Sequence, residues 1–118
     1  MFDTIRKRDG RYVPFDAEKI TKAIEEAGQA TAEFGRDQAQ KLMIRVLNLA
    51  EKIHGEKTLS VEEVQDIVEE VLLSSPFRTT AKRYIIYRDQ HARLREVVDK
   101  MEVDLVDQYL KKMDWKIN

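Results

Sequence analysis

Ile5-Arg6-Lys7-Arg8-Asp9-Gly10-Arg11-Tyr12-Val13-Pro14-Phe15, followed at once by Asp16-Ala17-Glu18-Lys19-Ile20, decides how the rest of the chain is read. Asp9-Gly10 predicts a two-residue hairpin turn, because Gly, and to a lesser degree Asp, tolerates the positive φ such turns demand. Alternation along the first strand predicts Lys7 and Arg8 on opposite faces, one toward a ligand and one toward solvent. The same charges also suit an edge strand blunted against aggregation. Pro14 lacks a donor for the ladder, so the second strand ends there or lies at an edge. Asp16 then reads as the N-cap of a helix.

Working outward, four stretches carry the helical period. Ile20, Ala23, Ile24 and Ala27 give the first apolar stripe, which Gly28 is expected to stop. The second helix is expected from about Gly35 to His54, with Ala39, Leu42, Met43, Val46, Leu49, Ala50 and Ile53 on one face and Gly55 at its end. Ser60-Val61-Glu62-Glu63 is a capping box that opens a third helix bearing Val61, Val64, Ile67, Val68, Val71 and Leu72. Lys57-Thr58-Leu59 just before it suits a short third strand. From Phe77 a long fourth helix carries Ala81, Tyr84, Ile85 and Arg88, continuing through Leu94, Val97, Val98 and Met101. A hairpin alone is marginal and must rest on such a bundle.

Composition narrows the function classes. The 118 residues suit one domain with a modest core, and with 4 Gly and 2 Pro an all-β sandwich is not expected. The absence of cysteine removes disulfides, zinc ribbons, iron–sulfur ligation and thiolate chemistry from this chain. His54 and His91 have no partner at metal spacing, so no metal site is expected. No serine–histidine–aspartate set, P-loop or other catalytic constellation is visible, and the chain is read as no enzyme by itself. No apolar run approaches a membrane span and no signal peptide is seen, so the expected setting is soluble and cytoplasmic.

The net charge of −1 hides a segregation. Residues 1–22 hold six basic against four acidic residues and residues 77–96 six against two, whereas residues 23–76 hold five against eleven. If the two basic segments meet, they form an anion site. A broad nucleic-acid surface fits poorly, because the overall positive charge it needs is missing. Lys19 sits in a first helical turn, where the dipole is already positive. It either faces an anion, together with free backbone N–H groups, or pairs with a nearby carboxylate. Arg78, Lys82, Arg83 and Arg88, with Tyr84 and Tyr87 interleaved, form either a binding face or a solvated one with Tyr84 in the core.

These pieces, in this order, resemble the ATP-cone domain family. The resemblance rests on Ile5-Arg6-Lys7-Arg8-Asp9-Gly10, Phe15-Asp16-Ala17-Glu18-Lys19-Ile20, Ser60-Val61-Glu62-Glu63-Val64-Gln65-Asp66-Ile67-Val68 and Ala81-Lys82-Arg83-Tyr84-Ile85-Ile86-Tyr87-Arg88. It implies an α+β, mainly α fold: a four-helix bundle capped by a small three-stranded sheet. It divides the chain into a regulatory domain over 1–98 and a linker or start of a catalytic domain over 99–118. That tail, ending Tyr109-Leu110-Lys111-Lys112-Met113-Asp114-Trp115-Lys116-Ile117-Asn118 without a cap, is similar to the entry of anaerobic (class III) ribonucleoside-triphosphate reductases and suggests a piece of a longer protein.

Carried residue by residue, the resemblance implies that Lys7, Arg8 and Lys19 contact phosphates and that Arg88 closes the phosphate side. Ile5 and Ile20 would line the base pocket with Val64 and Gln65, and Asp16 would touch the nucleotide. Gly10 and Phe15 belong to the same signature. Val13 and Pro14 stand where many members carry a glutamate, Gln65 where some carry histidine, and Gln90 where some class I members place a lysine. The implied ligands are ATP as activator and dATP as inhibitor, with Mg²⁺, and the implied partners are the catalytic body and further copies in a homo-oligomer. Alternatives are the cone of a nucleotide-sensing transcriptional repressor, against which the missing cysteines argue, or a degenerate cone serving dimerisation.

Overall fold

The computed structural model describes residues 3–98. The expected linker over 99–118, with the Met101 end of the fourth stripe, lies outside the described residues. The chain runs β1 (Thr4–Arg6), β2 (Tyr12–Pro14), α1 (Ala17–Ala30), α2 (Arg36–His54), β3 (Leu59–Ser60), α3 (Val61–Leu73) and α4 (Arg78–Val98). The sheet order is β2-β1-β3. β1 pairs antiparallel with β2, Ile5 opposite Val13, and parallel with β3, Ile5 opposite Leu59. The helices pack α1 on α2, α2 on α3, α3 on α4 and α4 back on α1, which closes the bundle. The fold is thus mainly α, with a three-stranded cap.

The hairpin turn differs from the expected two-residue form. The N–H of Gly10 donates to the Lys7 carbonyl at 3.0 Å, and the N–H of Lys7 to the Arg11 carbonyl at 2.7 Å. Only Gly10, at φ +89°, takes the left-handed conformation there. Arg8-Asp9-Gly10 is therefore a three-residue loop, the common alternative in which one glycine supplies the positive φ. Asp9 is fixed by its own neighbour, accepting from the Arg11 backbone N–H and, at 2.6 Å, from Arg11 Nε. These bonds hold its carboxyl below the usual carboxylate range. Because β1 ends at Arg6, strand alternation does not govern Arg8, which belongs to the turn.

Gly28 does not stop the first helix. α1 runs on to Ala30, and Gly28 is buried inside it. A Cβ at Gly28 would fall on the Phe34 ring, so the glycine serves close packing, with Phe34 edge-on to Phe77 at 4.7 Å. The stop comes from a Schellman arrangement further on. Glu33 N–H donates to the Gly28 carbonyl at 3.0 Å and Ala32 N–H to the Gln29 carbonyl at 3.1 Å, with Ala32 at φ 60°.

α2 begins after Gly35 and ends at Gly55, whose φ is +61°. Most of its stripe is buried, but Leu49 is half-buried and Ile53, near the C-terminal end, is 58% exposed. The third strand falls on Leu59–Ser60 rather than on 57–59. The capping box forms as expected: Glu63 N–H donates to Ser60 Oγ at 3.1 Å and Ser60 N–H to Glu63 Oε1 at 2.9 Å. Ile24, Leu42, Val46, Leu59, Val68 and Leu72 make the centre of the core. Leu59 joins the sheet to it.

Candidate functional site

Hairpin, α1 and α3 do not close completely on one another. Between them lies a cavity of about 260 Å³, floored by Tyr84 of α4. Its apolar wall is built from Ile5 and Phe15 on the sheet side, Ile20 on α1 and Val64 on α3. Lys7, Asp16, Lys19 and Gln65 supply its polar groups. Each position follows from local structure. Lys7 is the first residue past β1. Lys19 and Ile20 are successive residues of the first turn of α1, and Val64 and Gln65 occupy the same turn of α3.

Asp16 caps α1, its carboxylate accepting from the Glu18 N–H at 3.0 Å. Its carbonyl accepts from the Lys19 N–H at 3.2 Å, so the cap and Lys19 are held in one turn. Among the described residues neither Lys7 nor Lys19 has a carboxylate within ion-pair distance of its ammonium. Of the two readings of Lys19 from sequence, pairing with a neighbouring carboxylate is therefore not what the fold shows. Two unneutralised ammonium groups on separate elements border one apolar cavity beside a helix N-terminus, where the dipole adds further positive potential.

Three residues expected at the site stand outside the cavity wall. Gly10 lies in the turn. Arg8 pairs through Nε with Glu62 at 2.5 Å and donates from Nη2 to Gln65 Oε1 at 3.1 Å. Arg88, 18% exposed along its side chain, bridges α4 to α3: it pairs with Asp66 at 2.8 Å and Glu69 at 2.9 Å. It also donates to Gln65 Oε1 and to the Glu62 carbonyl, each at 3.1 Å. Burial opposes its charge, yet Asp66 and Glu69 outweigh that and raise its pKa. Neither arginine lines the cavity, but both guanidinium groups bond to Gln65, which does.

Sequence reasoning did not assign Val13, Pro14, Ala23, Val61, Val68 or Tyr84 to the site, though they complete its wall. A signal existed for three of them. Ala23 is three residues after Ile20, and Val61 and Val68 lie three before and four after Val64, so each pair shares a helix face. Of the two readings of Tyr84, its ring is buried as the core reading has it, while it also lines the cavity; desolvation pushes its phenol well above the ordinary value. Among the described residues no group of three or more His, Asp or Glu side chains could hold a metal ion, and no helix is long and apolar enough to cross a membrane.

Comparison with known proteins gives this geometry a family. The family described as "ATP cone domain" matches residues 3–93, nearly the whole described fold. The chain belongs to the ATP-cone family. It is similar to a ribonucleoside-diphosphate reductase subunit alpha of Chlamydia pneumoniae, 35% identical over 98 residues, covering 77% of this chain and 9% of the relative. A vitamin B12-dependent ribonucleoside-diphosphate reductase of Thermoplasma acidophilum is 36% identical over 108 residues, covering 87% and 14%. An anaerobic ribonucleoside-triphosphate reductase of Escherichia coli is 36% identical over 92 residues, covering 78% and 12%. The ATP cone therefore spans only about a tenth of these relatives, and they carry three differently named reductases rather than the anaerobic class alone.

Proposed function

We propose that this ATP cone is the allosteric overall-activity domain of a ribonucleotide reductase, binding ATP or dATP in the cavity between hairpin, α1 and α3. One observation carries the reading: Lys7 and Lys19 border one apolar cavity without carboxylate partners. At about 260 Å³ the cavity sits just below the ordinary ligand range of ~300–1,000 Å³. That size suits a base and sugar within and a phosphate tail outside, across the two ammonium groups and the α1 N-terminus. Membership of the family and the reductase relatives support the same ligand. Ile5, Ile20 and Val64 hold the base, Asp16 the sugar, and Lys7 and Lys19 the phosphates. Mg²⁺ travels with the triphosphate; among the described residues Asp16 is the cavity's one carboxylate, so the phosphates supply most of the ion's ligands.

ATP and dATP differ by one hydroxyl. A hydrogen bond is worth about 0.5–1.5 kcal/mol net, which reaches the typical allosteric coupling of ~1–3 kcal/mol. ATP holds the reductase active and dATP turns it off by altering how copies associate. The host is the cytoplasmic anaerobic class, on the resemblance of residues 99–118. Isothermal titration of the 118-residue chain with ATP and with dATP tests the reading. Saturable binding of both is expected, and no heat from either at millimolar concentration would refute it.

A further inference from the structure

Gln65 occupies an uncommon position: it lines the cavity and also joins the two arginines that stand behind it. Arg8 Nη2 and Arg88 Nε both donate to the same atom, Gln65 Oε1, each at 3.1 Å. A guanidinium has donors only, so the amide atom facing both must be the carbonyl oxygen. The two guanidinium groups are in turn fixed by Glu62, Asp66 and Glu69. The amide therefore has one orientation. Its oxygen has both lone pairs engaged, and among the described residues its NH₂ group donates to nothing. A glutamine that elsewhere offers a donor or an acceptor as needed offers this cavity a donor alone.

The geometry points to Gln65 as a specificity-determining residue that selects, through its amide NH₂, an occupant presenting a hydrogen-bond acceptor toward the second turn of α3. This rests on the nucleotide reading above. It adds that the selecting atom is Nε2 and that Arg8 and Arg88 act as positioning residues for the Gln65 amide. The acceptor class includes an unprotonated ring nitrogen of a purine or a ribose oxygen. An occupant offering only donors on that side meets NH₂ against N–H or O–H and leaves buried groups unsatisfied, which is the strongest form of rejection a small site commands. The same arrangement links the cavity to α4, since movement of the Gln65 amide alters one of the four acceptors through which Arg88 ties α4 to α3.

Two substitutions separate the donor from the scaffold. Gln65→Glu keeps an acceptor for both arginines and removes the NH₂. Gln65→Met keeps the length and removes both. Adenosine is the probe, because it carries no phosphate for the added carboxylate to repel. Affinity is followed by backbone amide shifts of the 118-residue chain. Adenosine affinity is expected to fall about five- to ten-fold in both variants, the effect of one lost hydrogen bond. Thermal melting should show Gln65→Glu at least as stable as wild type. Should Gln65→Met fail to fold, Gln65→Glu alone decides. Unchanged adenosine affinity in Gln65→Glu would overturn the assignment while leaving the nucleotide reading standing; a wild-type chain that takes up neither adenosine nor ATP would overturn both.

Discussion

At the scale of single residues, the cavity's chemistry depends on which charges are already matched. Arg8, Arg88, Arg11 and Arg36 each have a carboxylate at 2.5–2.9 Å, whereas Lys7 and Lys19 have none. An unmatched, exposed ammonium loses little when truncated. We expect Lys7→Ala and Lys19→Ala each to weaken ATP binding about ten-fold, as for one charge-assisted contact, with melting temperature unchanged. Titration calorimetry paired with thermal melting checks both halves. A variant that melts earlier without weaker binding would make these lysines structural.

Glu63 behaves oppositely. The Ser60 N–H, with a smaller contribution from His54, holds its carboxyl below the ordinary 4.5. A depressed folded-state pKa adds stability that is present above 4.5 and is lost as the pH falls through the lower folded value. Acid unfolding monitored by circular dichroism should therefore steepen below about pH 4.5, and Gln at position 63 should flatten that limb. Identical acid profiles for wild type and Glu63→Gln would contradict this.

At the scale of elements, the end of α1 shows two residues in each other's expected place. Glycine sits at Gly28, where the helix continues, and alanine at Ala32, where the chain turns left-handed. The first is explained by Phe34, whose ring occupies the space of a Cβ. The second carries strain of about 1 kcal/mol. Gly28→Ala should destabilise the domain by about 1–3 kcal/mol through overpacking. Ala32→Gly should stabilise it by up to about 1 kcal/mol. Urea unfolding of both variants tests the pair, and equal shifts of the same sign would undo the explanation.

The carboxylate of Glu33, one residue on, accepts from Thr80 N–H and Thr80 Oγ1, both at 2.6 Å, and so caps α4 from a distant part of the chain. This also marks how far the sequence could be read. Capping box, hairpin and apolar stripes are local, and Ser60, Gly10 and Leu42 announce them by spacing alone. The Phe34 ring on Gly28, the Glu33 cap and the Arg88–Gln65–Arg8 chain depend on partners from 6 to 57 residues away, for which no spacing rule exists. Ile5, Lys7, Phe15, Lys19 and Gln65 were legible through the family signature, whereas Val61 and Val68, inside the same stretches, were not. Tyr84 was not, because a buried tyrosine in a stripe has the same pattern whether its outer edge meets protein or a cavity.

At the scale of the whole molecule, the three-stranded cap and the bundle are joined along one line. β3 leads straight into α3, Leu59 enters the core, and β1 lies between β3 and the outer strand β2. Among the described residues the turn is tied to α3 only through Arg8, which pairs with Glu62 and donates to Gln65, and Tyr12 of the outer strand is 65% exposed. Hairpins of this length are marginal by themselves, so we expect this corner to open before the bundle in local unfolding. A nucleotide bound as proposed would touch Ile5, Lys7 and Phe15 on one side and Lys19, Ile20 and Val64 on the other. It would therefore stabilise the closed hairpin more than the bundle, whose core is packed without it. Amide hydrogen exchange should show the effect unevenly. On saturation with ATP, protection at Lys7 and Gly10, whose N–H groups close the turn, should rise about ten-fold or more. Amides of the α2 centre around Val46 should change only as global stability does. A uniform rise across both regions would mean that cap and bundle open together, and the hairpin would then have no separate motion through which a nucleotide could signal.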